Sequence, residues 1–155
     1  MKKIIFSFLM SLGTLLTFAR TYVDLGLPSH TQWATTNENG LYTYDEAMNN
    51  FGQNMPSKVQ WEELMDYCNW KWTGRGYKII GPNNNSIFLP AEGRRKCNGT
   101  LYNDNTRGYY WTSTLEESDS TDEPVEDAYH FSFTFDWFNT SDQDRCEGHS
   151  IRLIQ

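Results

Sequence analysis

Residues 129–136 alternate more strictly than any other stretch of the chain. Tyr129, Phe131, Phe133 and Phe135 fall on one side, His130, Ser132, Thr134 and Asp136 on the other. A side-chain period of two is the pattern of a β-strand with one buried and one solvated face. Four aromatic rings on one face need an apolar layer over them, so this strand commits the chain to a sheet packed on something else. Shorter runs join it. Tyr77-Lys78-Ile79-Ile80 and Ser86-Ile87-Phe88-Leu89 flank Gly81-Pro82-Asn83-Asn84-Asn85, which predicts a hairpin. Tyr22-Val23-Asp24-Leu25 and Gln32-Trp33-Ala34-Thr35, on either side of Gly26-Leu27-Pro28-Ser29-His30, predict another. Residues 109–113 and 150–154 supply further strands.

Two segments carry the helical period instead. Thr43 with Glu46 and Ser57 with Gln60 are capping boxes, in which side chains at the N-cap and third helical position satisfy each other's backbone N–H groups. Behind them Tyr44, Ala47, Met48, Phe51 and then Trp61, Leu64, Met65, Cys68 repeat at i, i+3, i+4, i+7. Such stripes can line a groove, but a stripe of this kind ordinarily faces the core, and both are assigned there. Helices early and strands late predict an α+β domain built on antiparallel sheet.

The N-terminus predicts export. Lys2 and Lys3 precede an almost uninterrupted apolar run over residues 4–18, and Thr17-Phe18-Ala19 offers small residues at −3 and −1 for signal peptidase. The run is shorter than the ~20 residues a membrane span needs. Cleavage after Ala19 leaves residues 20–155, one domain with no membrane span, in the periplasm, outside the cell or at its surface. Loss of two lysines and no acid takes the formal charge from −7 to −9. That balance argues against nucleic acid and anionic membrane as partners, since both reward basic patches. Aromatic residues make up 15% of the chain, enough for a dense core with rings left for a surface. In an oxidising compartment, three cysteines imply one disulfide and one buried thiol. Cys68 lies on a helix stripe and is assigned the thiol, which leaves Cys97–Cys146 as the candidate bridge.

The segment 116–127 holds Glu116, Glu117, Asp119, Asp122, Glu123, Glu126 and Asp127 among Ser, Thr and Pro, and predicts a solvated loop. Clustered oxygens also suit calcium. However, no EF-hand-like alternation with a central Gly supports such a site, and no cofactor or metal is assigned.

An ordered set of short segments resembles a known family. Residues 22–29 ending in Trp33-Ala34-Thr35, Met55-Pro56-Ser57 with Trp61-Glu62-Glu63-Leu64, and Cys68-Asn69-Trp70 match in order, as do Gly81-Pro82-Asn83 and residues 86–91. Residues 108–114, Ala128-Tyr129 and Gly148-His149-Ser150-Ile151-Arg152 follow. The chain is similar to the Fibrobacter-type major paralogous (FISUMP) domains of gut and rumen Bacteroidetes. The resemblance implies a C-type-lectin-like fold, related to the formylglycine-generating enzymes, with two helices packed on twisted antiparallel sheets and the termini meeting in one sheet. His30 departs from the Gly usual at its position, and the acidic insert is longer than the family's short turn.

The resemblance does not carry catalysis with it. The related enzymes bind copper through two cysteines near the C-terminal end, and here only Cys146 lies there. No nucleophile elbow or paired histidine motif is present. With 20 acids, a converging carboxylate pair carries little information. His130 and His149 are assigned the ordinary role of a solvent-face or capped histidine, and no enzyme activity is predicted. The lectin-type calcium triplets fail too, because Glu123-Pro124-Val125 lacks an oxygen at its third position and Asp136-Trp137-Phe138-Asn139 has the wrong order. The segment 136–150 instead mixes aromatics with short polar residues, as antibody paratopes do. Trp137, Phe138, Asn139, Asp142, Arg145 and His149 are the candidate ligand-binding residues, with Phe138 outward by parity and Trp137 continuing the inward side. The expected role is recognition of an extracellular glycan or protein. A structural or adhesive envelope component is the alternative, and an enzyme of the formylglycine type the second.

Overall fold

In a computed structural model of the chain, residues 20–102, 105–116 and 125–155 are described. The predicted leader 1–19 and acidic residues 117–124 lie outside the described residues. In chain order the elements are β1 (Tyr22–Asp24), β2 (Gln32–Asn37), α1 (Tyr44–Phe51), α2 (Lys58–Tyr67), β3 (Asn69–Trp72), β4 (Gly76–Ile80) and β5 (Ser86–Pro90). They continue with β6 (Arg94–Arg95), β7 (Leu101–Tyr102), β8 (Gly108–Leu115), β9 (Asp127–Phe133), β10 (Phe138–Asp144) and β11 (Arg152–Ile154). The fold is α+β: two short helices with antiparallel sheets ordered β1-β2-β11, β10-β9-β8, β3-β4-β5 and β6-β7.

Local signals place these elements. Both capping boxes form, Thr43 with Glu46 and Ser57 with Gln60, and each starts its helix at the next residue. The β1–β2 hairpin pairs Tyr22 with Ala34, and β4–β5 pairs Tyr77 with Leu89. Gly81 lets the β4–β5 turn lie against the β1 end, because a Cβ there would meet the Leu25 carbonyl oxygen at 2.1 Å. The side chains of Asn83 and Asn85 then donate to the Asp24 carbonyl. The last strand, β11, lies along the other edge of β2, so both ends of the domain share one sheet.

Trp61 on α2 is the hub of the larger core. Its ring stacks on Phe131 at 4.5 Å and meets Trp33 edge-on at 4.8 Å, with Tyr110 alongside. Buried rings of this size contribute most of the apolar area that holds helix to sheet. A second core under α1 gathers Tyr44, Ala47, Met55, Trp111, Ile151 and Leu153.

Several expectations are corrected here. Strand β9 is covered on both faces: His130 and Ser132 are buried as fully as Phe131 and Phe133, because the chain leading into β11 packs on the side opposite α2. The strand stops at Phe133, where the Thr134 N–H donates to the Trp137 carbonyl and closes a turn that leaves Phe135 63% exposed. The segment 136–150 is mostly strand β10. Phe138 pairs with Phe133 across the hairpin, and directly opposite residues face the same way. Phe138 therefore turns inward and stacks on Trp70 at 4.7 Å, while Trp137 is exposed, the reverse of the parity reading. Cys68 sits at the C-cap of α2, half-buried instead of within the helix stripe.

Candidate ligand-binding site

The residues singled out in the sequence do not form one site. Trp137 and Asn139 stand exposed at one end of the β9–β10 hairpin, and Asp142 is exposed farther along β10. Arg145, roughly 25 Å of extended chain beyond Trp137, is half-buried and held by the Asp45 carboxylate and the Val125 carbonyl. His149 is corrected outright. Its exposure is zero, so no ligand can touch it, and its ring is stacked against Trp111. His130 is also buried, with its ring 5.1 Å from that of His149. Burial pulls both imidazoles down, His130 to about 3, and the nearby Arg94 guanidinium adds to the effect. Glu147, which accepts from Arg94 at 2.6 Å, lies 3.4 Å from His149 Nε2.

Polar groups converge elsewhere, where β2, β5, β8 and β11 meet. Arg152, 1% exposed, pairs with Asn37 across the β11–β2 ladder. Its Nε donates to Asn37 Oδ1 at 2.8 Å, and its two terminal nitrogens donate to the Ala34 and Phe88 carbonyls at 2.7 Å each. The Asn37 amide nitrogen donates to Glu92 Oε2 at 2.7 Å and to the Tyr110 hydroxyl at 3.0 Å. The Ser150 hydroxyl donates to the same Glu92 oxygen at 3.1 Å, and the Tyr110 hydroxyl donates to the Pro90 carbonyl at 2.7 Å. Burial lowers the Arg152 guanidinium and raises the Tyr110 phenol, and each offsets the other's shift. Arg152, Tyr110 and Ser150 are buried while Glu92 is exposed, so the network runs from the interior to the surface, and its buried bonds hold those members firmly.

This network underlies a cavity of about 540 Å³. Glu92, Asn37 and Arg152 are among its lining groups, Leu41, Phe88, Pro90 and Leu101 are its apolar walls, and Thr35, Thr36 and Asn39 add further polar groups. Phe88 and Leu101, both lining the cavity, remain 41% and 64% exposed. Apolar walls around a few fixed polar groups are the ordinary make-up of a small-ligand site, and the volume falls in the range of such sites, about 300–1,000 Å³. The sequence carries one signal for it: Arg152 stands inside the apolar alternation Ile151, Leu153, Ile154. Alternation alone would put that charge on a solvated face; Ile154 on the same side is what points it inward, where a charge needs partners.

Two further features lie near the β10 end. Cys97, in the β6–β7 turn, is bonded to Cys146 with Cα atoms 5.1 Å apart. The bond ties the hairpin bearing the cavity-wall residue Leu101 to the segment after β10. Glu116, Asp127 and Asp142, from three neighbouring chain segments, bring carboxylate oxygens within 4.8 Å of one another. Grouped in this way, the three carboxylates could hold a cation. Asp127 is held above the usual carboxylate range by desolvation, then by Asp142, Asp144 and Glu126.

Comparison with protein-family models, with curated proteins and with solved structures finds no significant match to this chain.

Proposed function

We propose that this chain is a secreted, non-catalytic binding module that recognises an extracellular glycan or protein, with the Asn37–Glu92–Arg152 cavity as its ligand site. One observation carries the reading: a rigid, mutually bonded polar network lies at a cavity whose apolar walls are left exposed. Fixed polar groups beside uncovered apolar surface suit recognition, because the site is organised before the ligand arrives. The network also argues against catalysis at this place. Ser150 is fully buried and Tyr110 is occupied by Pro90 and Asn37, so neither is free to attack a bound molecule. The leader predicted at residues 1–19 supports an extracellular ligand, and the FISUMP-like segments support a C-type-lectin-like arrangement of the helices and sheets. In this reading the C-terminal segment contributes Arg152 to the cavity lining and Ser150 to the network behind it.

Ligand screening by thermal shift tests it, with Phe88→Ala as the cavity variant and Trp137→Ala as the surface control. Ligands that stabilise wild type should lose their effect on Phe88→Ala and keep it on Trp137→Ala. Equal responses in both variants would move the site away from the cavity.

A further inference from the structure

We infer that the cavity takes an uncharged, hydroxyl-rich ligand, a neutral saccharide, held without a metal ion. The inference rests on the binding role proposed above and names its ligand class. The charge balance of the lining decides it. Two carboxylates line the cavity, and each has its own cation. Glu38 is ion-paired with Arg20 at 2.8 Å. Glu92 is joined to Arg152 through Asn37, whose amide donates to the carboxylate and whose oxygen accepts from the guanidinium. A cationic ligand would compete with Arg20 at Glu38, and at Glu92 it would meet the field of the nearby Arg152 guanidinium.

Anions fare worse. Arg152 is the one cation among the described lining residues, and it is 1% exposed with a donor from each nitrogen committed to the protein. An anion would meet Glu38 and Glu92 before it met that guanidinium. A neutral ligand meets no such penalty.

What the lining offers is hydrogen bonding to neutral donors and acceptors. Glu92 uses Oε2 for Asn37 and Ser150, while Oε1 accepts from no described residue. A carboxylate oxygen is a strong acceptor for a hydroxyl. Thr35, Thr36 and Asn39 are short groups that both donate and accept, which matches hydroxyls in either role. Phe88, half exposed at the wall, presents an apolar ring to the C–H face that every sugar carries alongside its hydroxyls. A purely apolar ligand would desolvate Glu92 Oε1 without giving it a donor, a loss that a hydroxyl avoids.

The test is binding of the chain purified without its leader to an array of neutral oligosaccharides, with matched uronic-acid and 2-amino oligosaccharides beside them. Measurements are made in EDTA at about 0.05 M and 0.5 M salt, a range over which Debye screening changes severalfold. Neutral oligosaccharides should bind, with affinity unchanged by EDTA and nearly unchanged by salt. Glu92→Gln, which keeps shape and removes charge, should weaken them about tenfold, the difference between a charged and a neutral acceptor. Selective binding of the acidic or amino series, or loss in EDTA, would overturn the ligand class while leaving the cavity as the site. The same holds if no array member binds although another compound stabilises wild type and fails on Phe88→Ala. Neutral-sugar binding that Glu92→Gln and Phe88→Ala both leave intact would overturn the site itself.

Discussion

The rings of Trp111 and His149 stack with centroids 4.0 Å apart and planes 24° from parallel, both side chains wholly buried. An imidazole held this way in the interior must stay neutral, and His130 beside it is under the same constraint. In the unfolded chain both take up a proton near pH 6.5. In the folded chain His130 does so only near pH 3, and His149 is likewise pulled well below its ordinary value. Below about pH 6.5 the unfolded state therefore binds more protons, and stability falls as pH falls toward about 3. Melting temperatures between about pH 7.5 and 4.5 should decline, with a shallower slope in His130→Gln. A slope that the substitution does not alter would contradict the account.

Trp137 and Phe138 are adjacent, but the turn separates their fates. Phe138→Ala removes the ring stacked on Trp70 and should cost about 2 kcal/mol, at the lower end for a large-to-small change because Phe138 is only half-buried. Trp137→Ala should change stability by no more than ~0.5 kcal/mol. Urea unfolding of the two variants decides it, and equal losses would mean that the β9–β10 register is wrong.

The Cys97–Cys146 bond closes a loop with a sequence separation of 49. Chain-entropy arguments give such a bond about 4 kcal/mol, through restriction of the unfolded chain. Cys97→Ser with Cys146→Ser should lower stability by that order and loosen the hairpin carrying Leu101, visible as faster amide exchange at residues 94–102. Denatured but unreduced protein should titrate one thiol, that of Cys68. Burial raises this thiol to about 11, so native Cys68 should alkylate slowly at pH 8.

Asp142→Asn should stabilise the protein at neutral pH. Asp127 is raised by desolvation and then by Asp142, so at pH 7 its ionised form works against folding. As pH falls through a raised carboxylate pKa, the folded state takes up protons first and stability recovers. The gain in melting temperature from Asp142→Asn should therefore be larger at pH 7 than near pH 4. A loss at pH 7 would show that the Asp142 carboxylate has a favourable partner.

The helices and hairpins were legible in the chain because their causes are local. A capping box needs two residues three apart, and a hairpin needs a turn between two alternating runs; Thr43, Ser57 and Gly81 lie where those rules place them. Which face each strand buries was not legible. Period-two alternation assumes one solvated face, and β9 has none, because the segment around His149 returns to cover it. The turn at residues 134–137 then exchanges the orientations expected for Trp137 and Phe138, since cross-strand pairing with Phe133 overrides sequence parity.

The same division holds for the candidate site. Sequence alone determined an α+β domain with two capped helices and no helical stripe left for a binding groove. Tertiary structure decided that Asn37, Glu92, Tyr110, Ser150 and Arg152 share one network. They are drawn together from residue 37 to residue 152 by the pairing of β11 with β2. That pairing joins the two ends of the domain, and no local pattern encodes it. It forms because β11 must bury Leu153 and Ile154 and β2 offers the open edge, which carries Arg152 inside with them.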